Sequence, residues 1–183
     1  MDFINIISKR KSKAKLKMPY PTQKEMRQIY QAAFRAPDHR LLRPTRFIEV
    51  TGDGLTKLSK IFTEFATKNN FSEERVNKFK IAPFRAPMII VAISRTISHK
   101  KVPKIEQLLS TGAAIQNILL ALDSINYGAI WRTGALALND GIKNYFNLDG
   151  NSEILGYIYV GTPKDNHVKI PQININKYIT KWD

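Results

Sequence analysis

Three short clusters concentrate side chains that can do chemistry. Arg10-Lys11-Ser12 sets two cations beside a hydroxyl, a group that suits a phosphate. Arg35-Ala36-Pro37-Asp38-His39 gathers a cation, a carboxylate and an imidazole where Pro37 stops a helix from continuing. Trp131-Arg132-Thr133 places a cation and a hydroxyl next to an indole. Each also has an ordinary structural reading. The first suits a solvated basic surface, the second a helix end whose dipole Arg35 or His39 serves, and the third a core tryptophan with a surface arginine. No familiar catalytic set stands beside them. There is no G-x-S-x-G turn and no G-x-x-x-x-G-K-[ST] loop, and Gly52-x-Gly54 meets Lys57 where a dinucleotide fingerprint needs a third glycine. The three histidines, His39, His99 and His167, are not spaced one helical turn apart, so no transition-metal site is expected. The absence of cysteine excludes disulfides, thiolate nucleophiles, zinc fingers and Cys-ligated iron–sulfur clusters.

The chain has 183 residues, 29 Lys plus Arg against 15 Asp plus Glu, and a net charge of +14. Its hydrophobic content of 43% rules out global disorder. Its length favours a single domain able to bury a real core. No apolar run approaches the roughly 18 residues of a membrane span, and no secretory leader is visible, so a cytoplasmic protein without membrane partners is expected. The positive charge suits nucleic acid, an anionic surface or phosphate-bearing small molecules. The basic residues are spread along the whole chain, without a stacking platform or a helix-turn-helix pattern, so no specific nucleic-acid partner is expected.

The clusters must be positioned by the elements around them. Asp2 can cap a short helix running to Ser8. Thr22-x-x-Glu25 is a capping box, and Met26, Ile29, Ala33 and Phe34 recur at helical spacing behind it, predicting a helix from Gln23 to about Phe34. Phe47–Val50 reads as a strand, followed by helices over Leu55–Ala66 and Ser72–Lys80. Met88–Ile93 is a continuous apolar run, as in a strand covered on both faces. The longest helix, Lys104 to about Asn126, is apolar nearly all round in its second half. It is therefore central or at an oligomer interface, and Tyr127-Gly128 is expected to stop it. An extended piece at Ile130–Thr133, a short helix from Asn139 and a strand at Ile154–Val160 follow. The tail from Lys164 carries Ile173 and Ile175 in alternation with polar residues, predicting a short half-buried strand, and ends on Ile179 and Trp182. The pattern is α+β, with three or four strands and no regular β-α alternation.

Taken in order, these clusters resemble the FMN-dependent nitroreductase family, and within it the short, single-domain bacterial NAD(P)H nitroreductases. The resemblance is carried by Arg10-Lys11-Ser12, Arg35-Ala36-Pro37-Asp38-His39, Ala82–Pro87, His99–Pro103, Ser110-x-Gly112-Ala113-Ala114-x-Gln116-Asn117, Gly128–Thr133 and Gly156–Pro163, which span nearly the whole chain. It implies a central antiparallel sheet flanked by helices, and a homodimer built on the long central helix with FMN at the interface. It also implies a single domain over 1–183 whose tail, about 164–183, packs on the partner protomer.

The implied activity is reduction of nitroaromatics, quinones or similar electron-poor acceptors, with NAD(P)H as donor, in ping-pong order. The alternatives are a non-enzymatic basic anion- or nucleic-acid-binding protein, or the same fold with other flavin chemistry such as enone reduction or dehalogenation. FMN carries the reaction, so no side chain is expected to be catalytic; the protein supplies binding and electrostatics. Arg10 and Arg132 are the candidates for the phosphate and ribityl end, with Ser12 as a hydroxyl partner. Lys11 or Arg35 can offset negative charge at the N1/O2 edge of the ring, His39 and Thr133 can donate to the flavin or ribityl chain, and the backbone around Trp131 can line the ring. The chain departs from the family pattern at Lys11, where a second arginine is usual. It also departs at Leu41-Leu42-Arg43-Pro44-Thr45, where a polar residue and Gln-Pro-Trp are usual, a change that bears on the substrate pocket.

Overall fold

The computed structural model describes residues 3–165 and 170–182. Asp2, the expected first cap, and the 166–169 stretch of the tail lie outside the described residues.

The chain runs α1 (Phe3–Lys9), β1 (Leu16–Lys17), α2 (Gln23–Ala33), β2 (Thr45–Thr51), α3 (Asp53–Lys68), α4 (Glu73–Ile81), β3 (Met88–Arg95), α5 (Lys104–Ser124), β4 (Gly128–Arg132), α6 (Ala135–Leu138) and β5 (Ser152–Pro163). Short 3-10 turns occupy His39–Leu41, Ala82–Arg85, Asp140–Phe146 and Ile175–Lys177. All strand pairs are antiparallel: β2 lies beside β3 and β3 beside β5. β4 takes the other edge of β5, and β1 pairs with the last residues of β5 beyond it.

β3 is the centre of the molecule. Its residues from Met88 to Ile93 are at most 2% exposed, as the unbroken apolar run predicts. Ile89, Val91 and Ile93 point to one face of the sheet, where Leu58, Phe62 and Phe65 of α3 cover them. Met88, Ile90 and Ala92 point to the other, against Met26 and Ile29 of α2 and Ile115, Ile118 and Leu122 of α5. Each of these large side chains contributes about 1.5–3 kcal/mol on burial, so the α3/sheet/α2–α5 sandwich follows from the strand's two-faced sequence.

The capping box of α2 is formed: Glu25 N–H donates to Thr22 Oγ1, and the Glu25 carboxylate accepts from the Thr22 N–H at 2.7 Å. α5 is long and apolar enough to span a membrane by length and composition. Packing accounts for part of its apolar character, since Ile115, Ile118 and Leu122 are fully buried against the sheet while Ile105 and Leu109 are exposed.

Four expectations are corrected. α5 is stopped by Asn126, which takes the left-handed position (φ 66), not by Gly128. Gly128 instead opens β4, where an added Cβ would fall 2.8–3.0 Å from Pro163, Leu16 and Lys13. The tail forms no strand at Ile173–Ile175; it runs irregularly into a 3-10 turn, with Ile173 and Ile175 exposed and unpaired with the sheet among the described residues. The piece from Asn139 is a 3-10 turn, capped as expected by the Asn139 side chain on the Gly141 N–H. The sheet has five strands, the two-residue β1 being too short to show a periodicity.

Candidate active site

The first cluster leaves α1 with the Arg10 N–H still donating to the Ile6 carbonyl. The chain then straightens along β4, where the Lys13 N–H donates to the Ala129 carbonyl at 2.9 Å. This brings the basic segment to the C-terminal end of α5. There Lys9, Lys11, Lys13, Asp123 and Asn126 line a cleft of about 440 Å³. Lys13 is only 7% exposed, and burial followed by the neighbouring Lys11 charge lowers its ammonium pKa from the ordinary 10.5. Burial raises the Asp123 carboxyl above its ordinary value, although the charges of Arg10, Lys13 and Lys11 pull the other way. The cluster therefore gathers Arg10, Lys11 and Lys13 around Asp123, with Asp165 also acting on Lys13.

β4 starts against this segment and extends four residues to Arg132, about 13 Å at strand rise. Arg132 is half-buried with its guanidinium 5.6 Å from the centre of the Tyr159 ring. Its Nε is buried and has no hydrogen-bond partner among the described residues. Beside it the Trp131 indole donates to the Leu155 carbonyl at 2.9 Å. That contact exists because the β3–β5 register shifts at Ala92/Ile93 and Gly156 adopts φ 142. A Cβ on Gly156 would collide with the Trp131 indole nitrogen and the Arg132 carbonyl. Thr133 follows the strand and is exposed.

The Arg35–His39 cluster lies elsewhere. Arg35 sits in the turn after α2 and is exposed. Asp38 is occupied structurally, accepting from the Leu42 and Arg43 N–H groups at 3.1 and 2.9 Å. It thereby steadies a loop in which Arg40, Leu41 and Arg43 all take positive φ. His39 Nδ1 is 2.7 Å from Glu106 Oε2, in the first turn of α5. Glu106 and Asp123 are 17 residues apart on one helix, about 25 Å. Within one chain, the Arg10–Ser12 segment leads to the start of β4, where Lys13 bonds Ala129, and Trp131 and Arg132 lie at that strand's other end, whereas His39 sits at the far end of α5.

Glu106 and Asp123, which mark the two ends, carry no local motif and were not legible as site residues. Lys13 was visible only as one of a run of lysines. Thr45, one of the departures from the family pattern, is 4% exposed, and its hydroxyl lies 3.1 Å from that of Thr111 in α5, so it packs inward.

The family model described as the nitroreductase family matches residues 7–162. The chain belongs to the nitroreductase family. It is 32% identical to the "Putative NAD(P)H nitroreductase YdjA" of Escherichia coli (strain K12) over 164 residues, 90% of each chain. Among solved structures it resembles a nitroreductase-like family protein from Bacillus cereus, with a TM-score of 0.86 and 21% identity over 100% of this chain and 97% of that one. It also resembles a "putative nitroreductase in complex with fmn" from Desulfovibrio desulfuricans, with a TM-score of 0.76 and 18% identity over 100% of this chain and 98% of that one. The nitroreductase-like α+β fold expected from the sequence is borne out.

The residues present fit a phosphate-bearing cofactor. Arg132 at the end of β4 has a buried nitrogen without a partner among the described residues, and Arg10, Lys11 and Lys13 gather positive charge around Asp123 near the strand's start.

Proposed function

We propose that the protein is an FMN-dependent oxidoreductase that draws electrons from NAD(P)H and delivers them to nitroaromatics, quinones or similar electron-poor acceptors. The observation that carries this reading is the orphaned Arg132 Nε on the sheet edge of a nitroreductase-family chain that also bears Arg10-Lys11-Ser12. FMN, when bound, supplies the hydride and electron transfer, with donor and acceptor using one site in turn.

The chain's own residues bind and orient. Arg10, Ser12 and Arg132 hold the phosphate and ribityl end, whose monoester carries about −1.5 to −2 charge near neutrality. Thr133 and His39 donate hydrogen bonds, the backbone at Trp131 lines the ring, and Lys11 or Arg35 places positive charge at its polar edge. Because α5 separates the Arg10–Ser12 segment from His39 by about 25 Å, the length from Asp123 to Glu106, a complete site needs two copies, one giving Arg10, Lys11, Ser12 and Trp131–Thr133, the other Arg35 and His39. Exposed apolar residues support this pairing: Leu109 on α5 is 64% exposed, and Trp182 in the tail 96%. The tail would pack on the second copy, and each protomer would be one domain.

Initial rates test the reading. FMN-reconstituted protein should oxidise NAD(P)H with a nitroaromatic or quinone acceptor and give parallel double-reciprocal lines. Rates no higher than an FMN blank would reject it, and intersecting lines would reject the single alternating site.

A further inference from the structure

A groove of about 1070 Å³ runs along α2. Lys24, Arg27, Tyr30 and Arg35 line one side, and Arg43 and Glu49 belong to its other wall. From Lys24 to the end of α2 is nine residues, about 14 Å, and Arg35 follows in the next turn. Four cations thus face one carboxylate along a channel long enough for an extended anionic ligand. We infer that this groove holds the adenosine end of NADPH, with Arg27 and Arg43 binding its 2′-phosphate, so that the protein selects NADPH over NADH.

The inference rests on the reading above. In that reading Arg35 is one of the two cations offered to the polar edge of the flavin, and with Arg35 there the groove opens beside the ring and leads away from it along α2. Arg43 is a departure from the family pattern that adds a cation here. Its main chain is fixed: its N–H donates to Asp38, and its carbonyl accepts from Arg46 Nη1 at 2.7 Å. The side chain therefore springs from a preorganised base, which lowers the ordering cost of binding. Tyr30, with its ring stacked on Phe47 at 5.3 Å, gives the groove an aromatic floor. Glu49, the lone carboxylate, lies beside the Tyr30 hydroxyl, whose pKa is raised by burial and further by the Glu49 charge. A carboxylate in such a groove can instead accept from a ribose diol and favour NADH, so the two outcomes are opposed and separable.

Calorimetric titration with adenosine 2′,5′-bisphosphate and with adenosine 5′-monophosphate decides between them, on both FMN-loaded and flavin-free protein. The bisphosphate should bind about tenfold or more tightly than the monophosphate. Arg27→Gln and Arg43→Gln should each erase about tenfold of that advantage while the monophosphate affinity holds. In the FMN-loaded protein the same changes should raise KM for NADPH and leave KM for NADH and kcat unchanged. Equal affinity for the two nucleotides, binding of neither, or unchanged discrimination in both variants overturns the inference. So does a Glu49→Gln variant that loses NADH selectively while the arginine variants do nothing. Failure of FMN to bind is read separately from the visible spectrum and bears on the oxidoreductase reading alone.

Discussion

Arg132 concentrates the residue-scale evidence, because a buried guanidinium nitrogen without a partner is costly unless a ligand completes it. A charge-assisted hydrogen bond is worth about 1.5–3 kcal/mol. Arg132→Ala and Arg10→Ala should therefore each weaken FMN by about ten- to a hundredfold. Riboflavin, which lacks the phosphate, should lose less, and fluorescence titration of both flavins checks the difference. Equal losses would make these arginines structural. Lys13 adds a pH dependence. Its pKa in the free protein is lowered from 10.5 by burial and by Lys11, and a bound phosphate favours its protonated form. FMN affinity should thus fall as pH rises from neutral toward 10.5, through the range in which the free protein releases that proton. Riboflavin affinity should stay flat over the same range, and a Lys13→Met variant should lose the slope.

At the scale of elements, the β5 bulge decides how β4 presents its end. Gly156→Ala places a Cβ against the Trp131 indole and the Arg132 carbonyl, so it should cost about 1–3 kcal/mol and shift the Trp131 emission. Urea unfolding followed by fluorescence measures both effects, and an unchanged midpoint and spectrum would contradict the account. The same elements show what a sequence displays. The β3 run, the capping box of α2 and the length of α5 were legible because each is a local pattern with one physical cause. β1 was not, since two residues have no period. The tail strand was wrongly expected, because alternation in Gln172–Ile175 makes a strand only when it pairs with a sheet, and among the described residues it does not. The candidate residues stood out in the sequence as clusters, but the separation of Arg10 from His39 did not. That Arg10 and His39 lie at opposite ends of α5 depends on Asp123 and Glu106, contacts that no motif encodes.

At the scale of the whole molecule, the roughly 25 Å of α5 between Asp123 and Glu106 is the ground for the proposal that one site is built from two chains. Leu109 is exposed in the protomer, so Leu109→Asp should leave its fold intact while burying an unpaired charge in the proposed interface, a cost of several kcal/mol. The expected product is a folded single chain that no longer holds FMN, seen by circular dichroism and size-exclusion chromatography. A variant that stays dimeric would move the interface off this face of α5. The most direct measurement is sedimentation velocity of the FMN-reconstituted protein, recorded at about 450 nm, where oxidised flavins absorb. The 450 nm boundary should travel with a species of twice the 20.9 kDa chain mass. Flavin sedimenting with a single chain, or left behind as the free small molecule, would contradict a site built from two copies.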